Sequence, residues 1–178
     1  MMLDSTCPAM HAAYLAGEKR LPFIPVRGIL GSDILARRAD WRVIDNPFPP
    51  HDPVVVVPPL LPDFMILHAS CADLFGNVWV GTRRELKSMS RASASTLVTV
   101  EAVVDFDLTK DKSLAPGTLA APYIDAIAVA PLGAWPTALA REYPADDPEL
   151  DAYATAALAD ATFGCYLDEL LAGRRRRS

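Results

Sequence analysis

Residues 96–104 read TLVTVEAVV. The run is apolar and β-branched nearly throughout, with one carboxylate, Glu101, set inside it. Such continuity, as opposed to alternation, marks a strand covered on both faces. Three other runs have the same character: VVVV at 54–57, FMILHA at 64–69 and IDAIAVA at 124–130. After FMILHA the chain turns at Gly76-Asn77 and resumes at Val78–Val80, which predicts a hairpin. Residues 84–95, RELKSMSRASAS, place Leu86, Met89 and Ala92 or Ala94 on one helical face. Apolar strands separated by helices predict an α/β fold with a largely parallel sheet flanked by helices.

The flanks are less regular. Residues 1–20 read as a short helix or loop of little character. Residues 21–31, LPFIPVRGILG, read as a short strand running into a tight loop, after which Ser32 caps a helix over 33–39. Residues 45–53, DNPFPPHDP, are irregular and proline-rich, and 105–122 reads as a long polar loop. Asp146 or Asp147 caps a last helical region, with Pro148 in its first turn. Leu150, Tyr153, Ala157 and Ala161 follow at helical spacing, and Gly164 is expected to break the helix, leaving a short one to about Leu171.

The 178 residues suit one domain, over 1–178, with a flexible basic tail at 172–178. Half the residues are hydrophobic (51%) and 22% are charged, which excludes a disordered chain. Mean hydropathy is +0.17, high enough to suggest apolar surface covered by a partner. A net charge of −5 gives no general attraction to nucleic acid or anionic membranes. The one basic run, Arg174–Arg177, reads as a phosphate-binding tail or as a solvated terminus. Cys7, Cys71 and Cys165 are scattered and odd in number, which argues against a disulfide framework or zinc site and fits a reducing cytoplasm. No signal peptide and no membrane-length apolar run is evident.

The chemistry-bearing residues are single positions. Arg27, Gly28, Gly31 and Ser32 form a glycine-bearing loop entering a helix, where free amides and a guanidinium can hold a carboxylate, phosphate or thioester oxygen. The same pattern also describes a tight turn with a serine cap. Glu101, inside an apolar strand, should be desolvated with a raised pKa unless it finds a partner. It reads as an acid or base, or as a structural carboxylate. His68 ends a buried strand, where α/β sites gather, or is a satisfied half-buried histidine. Asp73 and Asn77 flank the hairpin turn and suit its Asx geometry. No P-loop, G-x-G-x-x-G, G-x-S-x-G or H-E-x-x-H is present, and His11, His51 and His68 are too scattered for a metal motif.

Read together, four segments resemble the A (alpha) chain of family I CoA-transferases, the glutaconate and 3-oxoacid CoA-transferase type. LPFIPVRGILGSD at 21–33 resembles the family's P-x-x-x-x-x-G-[ST]-D loop. PDFMILHASCADLFGN at 62–77 resembles its P-D-[apolar]-H-A…A-D-x-x-G-N segment. SRASASTLVTVEAVV at 90–104 resembles its small-residue helix and V-T-V-E-x-[IV]-V strand, and YIDAIAVAPLGAWPT at 123–137 its V-D-x-[apolar]-V-x-A-P-x-G-A-H-P-T region. The match runs from about residue 21 to 160. Trp135 stands where that last motif has histidine. The family's A-type chain opens with first strands and a glycine-rich loop that have no counterpart here, so the CoA-transferase fold is expected to be incomplete at its N-terminus.

The resemblance implies transfer of CoA between an acyl-CoA and a carboxylic acid by a ping-pong mechanism. In it a glutamate passes through an acyl-glutamyl anhydride to a glutamyl-CoA thioester. That glutamate belongs to a partner B subunit, so no catalytic residue is assigned to this chain, nor any metal or bound cofactor. Its substrates would be a coenzyme A thioester and a free carboxylate, with the loop from Arg27 to Asp33 contacting the acyl carboxylate. The other readings are an acyl-CoA hydrolase or ring-cleaving enzyme on the same scaffold, and a truncated non-catalytic remnant.

Overall fold

The computed structural model describes residues 4–173 and Arg175. Its centre is the pair β4 (Phe64–Asp73) and β6 (Ser95–Val104), which run parallel from Phe64 opposite Ser95 to Asp73 opposite Val104. β8 (Ala126–Val129) extends the parallel set, with Leu97 opposite Ala126. On the other side lie two short antiparallel strands, β5 (Val78–Trp79) and β7 (Thr118–Leu119). The order is β7-β5-β4-β6-β8, a sheet parallel in its long members with a short antiparallel flank.

Side-chain alternation divides the two faces. Met65, Leu67, Ala69, Val98 and Val100 are buried, covered by Leu86 and Met89 of α3 (Glu85–Ala92). The opposite face carries Phe64 and Ile66, 64% and 76% exposed. His68 is the next residue of that second face.

The VVVV run forms a strand, but not in this sheet. β3 (Pro53–Val57) is the middle of a separate antiparallel sheet, between β1 (Ile24–Val26) and β2 (Arg42–Asp45). Val55 and Val57 pack against Ala9, Ala13, Ile29 and Trp41, and Val54 and Val56 are buried as well, although both pairings of the strand are antiparallel. β2 is exposed at every residue and carries no apolar alternation to mark it.

α1 (Cys7–Glu18) connects the two sheets and is a core element, not a segment without character. Ala9 and Ala13 pack against Ile29, Trp41, Val55 and Val57. A Cβ at Gly17 would lie 2.4 Å from the Leu60 carbonyl oxygen and 3.0 Å from the Ala92 Cβ, so only glycine permits this approach to α3. Glu18 accepts hydrogen bonds from Ser88 Oγ (2.6 Å) and Arg91 Nη1 (2.9 Å), fixing the helix pair. The burial is achieved with alanine and glycine, which leave little amphipathic signal.

Ser32 caps α2 (Asp33–Arg37) as expected, and Asp146 caps α4 (Asp147–Ala156). The expected break at Gly164 is not found. Gly164 lies inside α5 (Asp160–Leu171), and the chain turns earlier, at residues 157–159. Edge-to-face contacts of Tyr153 with Phe163 and Tyr166 fold α5 back on α4 and set the turn, and this packing overrides glycine's modest helix penalty. Residues 105–122 are not simply a polar loop: Leu108 and Leu119 are fully buried, and the segment supplies β7. Of the basic run, Arg174, Arg176 and Arg177 lie outside the described residues. Arg175 is bonded to Glu169 (2.7 Å) and Glu149 (3.1 Å).

Candidate functional site

The parallel register sets His68 opposite Thr99, with Glu101 two residues further along the same face. His68 Nδ1 lies 2.8 Å from Thr99 Oγ1, and Nε2 lies 2.7 Å from Glu101 Oε1. A neutral imidazole satisfies both contacts, accepting from the threonine hydroxyl and donating to the carboxylate. Tyr143 Oη donates to the same Oε1 (2.8 Å) and itself accepts from the Ala134 amide (3.0 Å). The Leu132 amide donates to Oε2 (2.7 Å). The two sequence candidates, His68 and Glu101, are thus brought together, and sequence reasoning missed Tyr143 and the Leu132 amide.

The segment after β8 makes this possible. Leu132 has φ 58°, a left-handed conformation that costs a non-glycine residue about 1 kcal/mol. At Gly133 a Cβ would fall 2.6 Å from His68 Cε1, so the backbone lies directly against the ring. Trp135, in the place of the family's histidine, donates its indole N–H to Asp146 (2.9 Å), the cap of α4. Burial pushes the Glu101 carboxyl up, but the Leu132 amide, His68 and Tyr143 outweigh it and hold the group below the usual glutamate range. The raised pKa expected of an unpartnered carboxylate is therefore not found. Tyr143 is pushed up, first by burial, with the Glu101 carboxylate adding to it.

Asp73 and Asn77 form a separate knot. Asp73 Oδ1 accepts from the Phe75 and Asn77 amides, and Oδ2 from Asn77 Nδ2 and the Leu108 amide. Asn77 Oδ1 accepts from the Ala121 amide (3.0 Å). Gly76, at φ 87°, makes the turn between them.

The loop from Arg27 to Ser32 lies on the three-stranded sheet, with Ile29 in that core. Gly28 and Gly31 have φ of 82° and 73°. Ser32 Oγ donates to the Ile29 carbonyl (2.7 Å) and accepts from the Leu35 amide (3.3 Å), so its hydroxyl is used as a cap. Arg27 pairs with Asp52, its side chain 70% exposed. Among the described residues no hydrogen bond joins this loop to the His68–Glu101 network. None of their His, Cys, Asp and Glu side chains form a group of three that could hold a metal, and no helix among them is long and apolar enough to cross a membrane.

No family model matches the sequence. Individual relatives do. The A chain of glutaconate CoA-transferase from Acidaminococcus fermentans is 31% identical over 94% of this chain and 57% of its own length. The A chain of 3-oxoadipate CoA-transferase from Pseudomonas knackmussii is 30% identical over 92% of this chain and 57% of its own. The crystal structure of the Acidaminococcus enzyme superposes with a TM-score of 0.84 at 25% identity, covering 94% of this chain and 58% of that one. A variant of the decarboxylase AibA/AibB superposes at 0.81 and 28%, covering 96% and 61%.

Fold and sequence together define an α/β chain of the CoA-transferase type. Its relatives at about 30% identity, over most of its length, are A subunits of CoA-transferases. The chain spans somewhat more than half the length of those relatives.

Proposed function

We propose that this chain is the A-type component of an enzyme that moves CoA between an acyl-CoA and a carboxylic acid, completed by a B-type partner. The observation that carries the reading is the match to two A subunits over more than nine-tenths of the chain. The exposed Phe64 and Ile66 are apolar surface suited to a protein neighbour. The three cysteines are free, in keeping with a cytoplasmic setting.

The attacking glutamate is assigned to the partner. It displaces CoA thiolate from the acyl-CoA to give an anhydride, and the thiolate then attacks the glutamyl carbonyl, releasing the first acid. The acceptor carboxylate takes the same route in reverse. Glu101 is a poor candidate for that glutamate, since both its oxygens already accept hydrogen bonds from fixed donors. We assign Glu101 and His68 to positioning the segment after β8, and the Arg27–Ser32 loop to the acyl carboxylate.

The test is to co-express the chain with a B-type partner and supply acyl-CoA with a free acid. Transfer of CoA, and hydroxylamine capture of a glutamyl-CoA on the partner, are expected. Absence of both defeats the reading. Release of free CoA without any acceptor would instead assign a hydrolase.

A further inference from the structure

Gly164 sits in the interior of α5, where glycine is among the least favourable residues. Gly17 of α1 has a packing reason, because a Cβ there would strike the Leu60 carbonyl oxygen. Gly164 has none within the chain. Its backbone is not left-handed, and a Cβ built on it would meet nothing within 4 Å. The surface above it is an open notch in the helix.

The same face of α5 carries a matching projection. Leu167 and Leu171 follow Gly164 at the third and seventh positions, the spacing of a coiled-coil seam. Leu171 is 83% exposed and Leu167 37%. The aromatic residues of α5 are engaged with α4, Phe163 and Tyr166 both meeting Tyr153 edge to face. Neither hydrophobic core cluster draws a residue from α4 or α5, so the seam takes no part in the packing of either sheet.

A notch and a projection two turns apart on one helix fit a copy of that helix running the opposite way. With a two-fold axis near Leu167, Leu171 of each α5 falls on Gly164 of the other, and the two Leu167 side chains meet at the axis. The glycine lets the helix surfaces approach closely, as Gly17 does for α1 and α3. Antiparallel order also sets opposite ends of the two helix dipoles together. Charge favours the same occupant. α4 and α5 contain no basic side chain, and Asp147, Asp151, Asp160 and Asp168 are exposed on them. The chain supplies its own counter-charge in the arginines that begin at 174, three residues beyond Leu171. Arg175 shows that the hairpin accepts a guanidinium. It bonds Glu149 and Glu169 and lies 4.7 Å over the Tyr166 ring.

We propose that α5 pairs with α5 of a second copy of this chain, antiparallel, with Leu171 of each copy seated over Gly164 of the other. A single two-helix seam is small beside a permanent interface, so the pairing is a concentration-dependent equilibrium. It does not rest on the CoA-transferase reading.

The test is sedimentation velocity of the full chain, alone and with the B-type partner, over a wide range of concentration. The chain alone should pass from monomer to dimer as concentration rises. Leu171→Asp removes the projection and Gly164→Gln fills the notch, and each should weaken self-association roughly tenfold. Gly164→Gln puts a better helix former into open space, so its thermal midpoint should rise or hold while association is lost, which separates the seam from misfolding. Register is read by disulfide trapping with diamide, in chains that also carry Cys7→Ser and Cys165→Ser. A mixture of Gly164→Cys and Leu171→Cys chains should link unlike chains, and neither variant alone should link to itself. Links between like positions overturn the antiparallel pairing. A chain that stays monomeric at every concentration overturns the proposal, as does a dimer indifferent to both substitutions. If the chain alone is monomeric while Leu171→Asp and Gly164→Gln block the B-type partner, the seam belongs to that partner and self-pairing falls, with the transferase reading intact.

Discussion

Asp73 and Glu101 are carboxylates on neighbouring parallel strands, both withdrawn from solvent and both held below their ordinary pKa. They differ in what holds them. Asp73 takes four N–H donors, three from backbone amides and one from the Asn77 side chain, and none of these can lose or gain a proton near neutral pH. Glu101 takes one amide, and its other partners are an imidazole and a phenol. The first arrangement fixes a turn. The second ties an acid–base network to the backbone segment after β8. A low pKa therefore says little about role until the donors are named.

The largest expected effect lies at the fixed end. Asp73→Ala orphans four donors at once, two of them serving the Leu108 segment and the Asn77 side chain. A loss of about 3 kcal/mol or more in urea unfolding is expected. A loss below about 1 kcal/mol would mean that the knot is not structural. Gly133→Ala should come next. Its Cβ would sit 2.7 Å from His68 Nδ1 and 2.8 Å from the Ala130 carbonyl oxygen, so ring or segment must shift. The expected cost is about 1–3 kcal/mol. Changes in side-chain spectra should centre on His68 and leave the Asp73 turn unmoved.

These two ends were not equally legible in the amino-acid sequence. The Asp73 turn is a local affair: an Asx acceptor, a Gly at positive φ and an Asn lie within five residues, so the pattern is readable. The caps at Ser32 and Asp146 are readable for the same reason. His68 and Glu101 could be noticed singly, and only the register of two parallel strands makes them partners. Tyr143 reaches Glu101 from far along the chain, through an irregular segment that no periodicity describes. The second sheet was hidden for a related reason. VVVV states that a strand is buried, not which sheet buries it, and the exposed strand β2 carries no pattern at all. The helix α1 buries alanines and a glycine, residues whose burial owes more to close approach than to hydrophobicity.

Acid titration separates the two carboxylates further. Each has a folded pKa below its unfolded value, so each contributes stability that is present above the unfolded pKa and lost as pH falls through the folded one. For Glu101 the loss begins below about pH 4.5, and for Asp73 below about pH 3.8. Glu101→Gln should cost about 1–2 kcal/mol at neutral pH and remove the upper part of the acid slope, leaving the lower part in place. An unchanged slope in that variant would show that Glu101 is not bonded in the folded protein as described.

The smallest expected effect is the most diagnostic. Tyr143 is raised by burial first, a contribution that Glu101→Gln leaves in place. Its hydrogen bond to Glu101 and the charge of that carboxylate raise it further, and the substitution removes the charge. Tyrosinate absorbance should therefore appear at lower pH in Glu101→Gln than in wild type, against the other tyrosines as an internal reference. Asp73→Asn, if folded, should leave this titration where it was, because its donors lie in the hairpin turn and the Leu108 segment. A Tyr143 shift common to both variants would mean that the two ends of the sheet are electrostatically one site. A shift in Glu101→Gln alone would establish the network as a unit that senses protonation, with the Leu139–Tyr143 turn directly attached to it.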